Sequence, residues 1–271
     1  MRRRNVRPGL DERSGPGIVN FSSGNCNQMT MISPGREGLL HEVTDQEWDA
    51  RCDLAAAFRL GYHFGWNRSL SNHISLRLPD HPGRMLMNPY GIGWDEMTAS
   101  ALVTVELGGK VLSHRDVELA PAGFNFHRGL LRARDDLACV FHCHPPAGVV
   151  LACTQDGLVI RDQTGCHLLG EVAYHDFEGF AEAEDETRRI LSDLGDRHLL
   201  IMWNHGLLTV GASLPEAFSW MRRLIAACEL QERMLATGAA LRDIPPDILA
   251  RTEAQLVEKR KKRAYSRIDW D

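Results

Sequence analysis

Apolar positions along this chain fall into blocks whose period switches between helix and strand. Residues 1–43 come first and show no clear period. They mix Arg, Gly, Ser, Asn and Pro, which predicts a mostly irregular arm. Order begins at Thr44. Thr44-Asp45-Gln46-Glu47 is a capping-box pattern, and Trp48, Leu54, Ala55 and Phe58 then line one helical face. "HISLRL" from His73 to Leu78 alternates and reads as a strand. "RMLMN" and "LVTVEL" read as two more, and a helix is predicted around Ala120 to Ala133. "LACVFHCH" is a buried strand stopped by Pro145-Pro146. "HLLIMW" and "LLTVG" are strands on either side of Asn204-His205-Gly206. A long helix starts at Ser213, with Pro215 and Glu216 as start signals. Its face is Phe218, Met221, Ile225 and Cys228, and Gly238 marks its end. Residues 243–271 are polar and charged, and Pro245-Pro246 sets them off as a tail. No internal repeat is present. The elements do not follow a simple βαβ rhythm, so the span 44–242 is expected to be one α/β unit, a mixed sheet covered by helices.

Composition narrows the partners more than the fold. The 271 residues suffice for one large α/β domain or two small ones. A hydrophobic content of 44% with 25% charged residues is ordinary for a soluble globular protein. A net charge of -5 predicts no nucleic-acid partner and no membrane surface. Arg2, Arg3 and Arg4 resemble the basic start of a secretory signal, but no apolar stretch follows them. No segment is long and apolar enough to span a bilayer. Seven cysteines without CxxC spacing suit a reduced, cytoplasmic protein. The basic run from Lys259 to Arg263 reads as a solvated helix end. Gly91 and Gly93 in "YGIG" lack the third glycine and the helix of a dinucleotide fingerprint.

The candidate chemistry lies in "VFHCHPP". Residues two apart on a strand share a face, so His142 and His144 project together while Cys143 points into packing. The prolines end the strand at once, which places the pair near a sheet edge. Two imidazoles so placed form a natural chelate for a divalent metal; equally, they are two polar residues at a strand end. His205, in the tight Asn-His-Gly turn, is the best candidate for a third ligand. Three neutral imidazoles would leave a position for water or substrate. In "YHDFEG", His175, Asp176 and Glu178 are either outer support for such a site or a polar turn.

From about Asp49 to about Gly238 the order of motifs resembles the class II aldolase/adducin family. The matching stretches are "SLSNHISLRLP", "MNPYGIGWDEMTASALVTVELGGKVL", "FHRGLLRARDDLACVFHCHPPAGVVLAC" and "IMWNHGLLTVG". The resemblance implies a three-layer α/β/α fold around a central mixed sheet and a homo-oligomer, often a cyclic tetramer. It implies His142, His144 and His205 as ligands of one divalent ion, Zn2+ or Mn2+ with Fe2+ also possible. Adducin-like members need no such histidines to bind partners.

The departures from the family pattern matter as much. Where the family's sugar-phosphate aldolases carry Ser-Ser-Glu, this chain has Pro121, Ala122 and Gly123. Pro89-Tyr90-Gly91 replaces a Pro-Ser-Gly turn, and Asn72 is retained. Phosphate needs several converging donors, so a small-molecule substrate without phosphate is expected. Asn72, Tyr90, Gly91, Gly123 and Phe124 are its expected contacts, and Tyr90 and Phe124 suit a flat, aromatic ligand. Gly123 supplies no acid or base, so His127, about one helical turn further on, is the expected proton donor. Tyr265 in the tail is the other candidate. The expectation is a metal-dependent lyase, most of all a decarboxylase of an aromatic hydroxy-carboxylate. The alternatives are an aldolase on a small hydroxy-carbonyl compound, a non-haem iron oxygenase, and a non-catalytic adducin-like module.

Overall fold

The computed structural model describes residues 39–67, 70–114, 117–179 and 184–262. Helix α1 (Asp45–His63) opens the fold, followed by β1 (His73–Arg77), β2 (Arg84–Met87) and β3 (Val103–Glu106). Then come α2 (Pro121–Ala133), β4 (Cys139–Cys143), α3 (Pro146–Ala152), α4 (Gln163–Cys166) and β5 (Val172–His175). The chain continues through α5 (Glu184–Leu194), β6 (Leu199–Met202), β7 (Gly206–Gly211), α6 (Leu214–Ala236) and α7 (Pro246–Lys262). Among the described residues, no helix is long and apolar enough to cross a membrane.

Local chemistry sets the helix starts. The Thr44 side chain accepts the backbone N–H of Glu47 at 3.0 Å, and Ser213 accepts that of Glu216 at 3.3 Å. α6 breaks off just before Gly238, whose φ of 65° only glycine takes freely. The tail differs from expectation. Residues 246–262 form a docked helix, because Leu256 is buried and Arg260 is tied to the segment before β5. Arg260 is therefore not part of a solvated helix end.

The seven strands lie in the order β3-β2-β1-β4-β7-β6-β5. All pairs are antiparallel except β5 with β6, so the sheet is mixed. Alternation along the strands separates two cores. Ile74, Phe141, Cys143, Ile201 and Leu207 face α1, α3 and α6. Val140, Met202, Leu208 and Val210 face α2 and α5 with Phe126, Leu130 and Ile190. Helices thus cover both faces, giving three layers. Since β7 opposes both β4 and β6, the carboxyl ends of β4, β5 and β6 share one end of the sheet. The amino ends of β1 and β7 meet them there. β4 is the middle strand, so the histidine pair sits at the end of the central strand and not at a sheet edge. The edge reading failed because strand order depends on pairings far apart in the chain.

Candidate metal centre

His142 is the penultimate residue of β4, and His144 follows its last residue, Cys143. Both imidazoles lie on the α2 side, while Cys143 is wholly buried on the other face beside Met221. His205 comes from the β6–β7 turn. Asn204 takes the left-handed conformation there, with φ 55°, which asparagine tolerates better than most residues. Its N–H donates to the Ala152 carbonyl at 2.8 Å, which pins the turn. Gly206 lets the turn close in: a Cβ there would meet His144 Cδ2 at 2.7 Å and the Cys143 carbonyl at 2.9 Å.

Three imidazoles converge as a result. One nitrogen from each of His142, His144 and His205 lies within 4.8 Å of the other two. His142 Nε2 and His144 Nε2 are 3.0 Å apart. Two nitrogens bound to one ion at about 2.0–2.1 Å would be separated by roughly 2.9–3.4 Å, so the spacing suits a shared ion. Protonation suits it too. Burial, reinforced by the neighbouring imidazoles, holds His142 well below the usual histidine value and His144 at about 4. His205 is lowered by burial and by His175. Neutral imidazole is the form that binds metal.

Asn72 lies behind this site and is fully buried. Its Oδ1 accepts both the backbone N–H of His144 at 2.8 Å and the His144 ring Nδ1 at 3.0 Å. Accepting the backbone N–H identifies that atom as the oxygen. His144 Nδ1 must then carry the proton, which leaves Nε2 bare toward the other rings. Asn72, expected among the substrate contacts, supports His144 in this structure.

His73, the first residue of β1, is the residue the sequence reading missed. It pairs across the sheet with His142, and the two rings stack with centroids 4.9 Å apart and 25° between planes. His73 Nδ1 is 2.8 Å from His127 Nε2, and His127 Nδ1 is 2.7 Å from Ser75 Oγ. Burial, then His144 and His205, push His73 down to about 3. His127 is completely buried and lies one ring behind His73, not with the triad. The alternation of "HISLRL" was the available signal. His73 and Ser75 look like a solvent face, yet both are buried under α2.

Gly123 explains how His73 fits. A Cβ on Gly123 would lie 2.5 Å from His73 Nε2 and 2.6 Å from Cδ2. Phe124 is half-buried beneath the Arg128 guanidinium, 5.3 Å from its ring centre. Tyr90 is 47% exposed and Gly91 sits at φ 90° in open space. Tyr265 lies outside the described residues. His175 is buried with Nδ1 2.7 Å from Asp193 Oδ2, whereas Asp176 is exposed and Glu178 pairs with Arg189.

A mixed sheet between helical layers, with a histidine triad at the end of its central strand, defines a class of α/β proteins built around a candidate metal centre. The chain belongs to the class II aldolase/adducin family: residues 52–232 match the Class II Aldolase and Adducin N-terminal domain. It is 40% identical over 209 residues to the "Putative aldolase class 2 protein" of Pseudomonas aeruginosa, covering 77% of this chain and 80% of that one. It is also 40% identical over 191 residues to alpha-adducin of Rattus norvegicus, covering 69% of this chain but 26% of that one. Among solved structures, an aldolase II superfamily protein from Pseudomonas syringae superposes with a TM-score of 0.75 at 34% identity. That match covers 81% of this chain and 92% of the other. The L-fuculose 1-phosphate aldolase of Glaciozyma antarctica gives 0.68 at 26% identity, covering 78% and 82%.

Proposed function

We propose that residues 44–242 form a metal-dependent carbon–carbon lyase for a non-phosphorylated, aromatic hydroxy-carboxylate, and that its reaction is decarboxylation. One observation carries this reading. Three neutral imidazoles converge at the strand ends while, among the described residues, His73 and no carboxylate fills the space against Gly123. Aldol cleavage needs a base for the hydroxyl proton and an acid for the carbon. Decarboxylation needs one proton delivered to carbon, a lighter demand that histidines can meet. A divalent ion held by His142, His144 and His205 would bind a carboxylate with a neighbouring oxygen and stabilise the negative charge that develops on the substrate. An all-imidazole donor set suits Zn2+ or Fe2+ better than Mn2+, which prefers oxygen ligands.

His73 is the proton-carrying group beside the triad. Burial and the neighbouring imidazoles hold its pKa at about 3, and a divalent ion in the triad would offset the charge of a bound carboxylate, so the ring would pass a proton on without keeping it. His127 Nε2 lies 2.8 Å from His73 Nδ1, so His127 positions that ring. A cavity of about 600 Å3 opens beside the His205 turn, lined by Cys153, Thr154, Gln155, Asp176, Phe177 and Asn204 among others. Among the described residues its lining includes no Lys or Arg, which disfavours phosphate. The exposed Phe177 ring, 6.4 Å from that of His205, offers an aromatic face. We include in the proposal a homo-oligomer, with a tetramer expected.

The test is metal analysis followed by a carbon dioxide release screen on aromatic hydroxy-acids, with and without oxygen, alongside sugar phosphates such as fuculose phosphate. The expected result is about one metal per chain, lost in His142→Ala, His144→Ala or His205→Ala, with carbon dioxide released without oxygen. Efficient cleavage of a sugar phosphate would replace the decarboxylase with an aldolase. Oxygen-dependent release would replace it with an oxygenase. The similarity to alpha-adducin favours a second reading, a non-catalytic interaction module. Full metal occupancy in all three alanine variants, with no turnover, would leave that reading standing.

A further inference from the structure

The three candidate ligands are not held alike. A metal-bound imidazole ordinarily donates its outer N–H to an oxygen, which fixes its orientation. His144 has such a partner in Asn72 Oδ1. His142 has none among the described residues: its Nδ1 is buried without a hydrogen bond. Packing must aim that ring. Besides the triad rings of His144 and His205, its aromatic neighbours are His73, stacked at 4.9 Å, and Phe126, edge-on at 5.5 Å. His73 is held in turn by His127 and, through it, by Ser75.

We propose that His73 is a positioning residue of the metal centre, aiming His142 by stacking as Asn72 aims His144 by hydrogen bonding, and that Gly123 is glycine because His73 occupies its side-chain space. Ring-on-ring contact fixes the plane of His142 without an oxygen acceptor, provided the stacked ring is itself immobile. The His127–Ser75 chain supplies that immobility. A Cβ at position 123 would lie 2.5 Å from His73 Nε2, a clash that shifting the His73 ring against His142 would relieve. The inference rests on the metal centre proposed above, but not on the reaction.

The experiment titrates metal-free protein with Co2+, reading affinity by chelator competition and ligand geometry by the visible d–d spectrum. His73→Ala is expected to weaken Co2+ binding roughly 10- to 100-fold and to alter the spectrum. His73→Phe keeps a stacked ring and should return affinity to within about threefold of wild type. It leaves His127 with Ser75 alone, so the melting temperature should fall while Co2+ affinity holds. Gly123→Ala should weaken binding as His73→Ala does, and should add little to it in the double variant. Wild-type affinity in His73→Ala overturns the proposal, as does a His73→Phe variant as weak as His73→Ala, or full additivity of the two sites. If wild type binds no Co2+, or His142→Ala binds it as wild type does, the metal centre falls and the positioning role with it. Should His73→Ala not fold, His73→Phe and Gly123→Ala decide the matter between them.

Discussion

Asn72 and His127 do related work one ring apart, and neither needs to touch a substrate to matter. Asn72 fixes the tautomer of His144, and His127 fixes the orientation of His73. His127→Gln keeps a polar side chain in the buried slot but loses the ring geometry linking His73 to Ser75. It should leave metal content unchanged and lower kcat roughly 10- to 100-fold, as expected for a group acting through another, with KM little affected. Unchanged kcat at full metal content would remove His127 from the reaction. The triad was readable because period two places His142 and His144 on one face. His205 was readable because a histidine in a tight turn between apolar strands has no packing role. His73 was not, since its importance comes from the register that pairs it with His142. That register depends on contacts between distant segments, and no local pattern encodes it.

Elements with strong local chemistry were legible, and those held by single anchors were not. α1 and α6 start where Thr44 and Ser213 said they would. β5 has four residues of half-buried alternation, too short to stand out. α7 is mostly polar, and Leu256 is its buried apolar anchor, while Val257 beside it is 42% exposed. Burying one leucine contributes about 1.5–3 kcal/mol, too little to fix a 17-residue helix. Arg260 completes the docking. Its guanidinium donates to Glu171 at 2.6 Å and to the His167 carbonyl at 2.8 Å, and sits 5.4 Å from the Trp220 ring centre. Arg260→Ala is therefore expected to destabilise the protein by about 1–3 kcal/mol, because Glu171 keeps His198 but loses its arginine partner in a partly buried setting. Hydrogen exchange across residues 246–262 should rise by more than it does in β4 or β7. Equal protection of α7 in wild type and variant would show that the helix is held by something else.

At the scale of the whole molecule, the histidine row couples the site to stability. His73, His127 and His142 are buried, and their pKa values are depressed chiefly by burial. In the unfolded chain each returns to about 6.5. The sign follows from proton counting. Above pH 6.5 neither state binds these protons, and the folded state keeps its full stability. Below it the unfolded chain takes up protons that the folded protein refuses, so stability falls as pH falls toward the depressed values. Each such group costs about 1.4 kcal/mol per pH unit in that window. Three of them remove roughly 5 kcal/mol between pH 6.5 and 5, comparable with the low end of the 5–15 kcal/mol of a typical domain. Metal-free protein should thus show a steep loss of urea midpoint from pH 7 to pH 5. Bound metal opposes it, because a ligated imidazole cannot be protonated without releasing the ion, and the folded state gains stability with free metal concentration. Metal-loaded protein should lose less over the same range, and metal-free His73→Phe should have a shallower slope by about one proton. A flat profile for the metal-free wild type between pH 7 and pH 5 would mean that these rings are not held neutral by the fold, and the fit of the triad to a metal would lose its electrostatic basis.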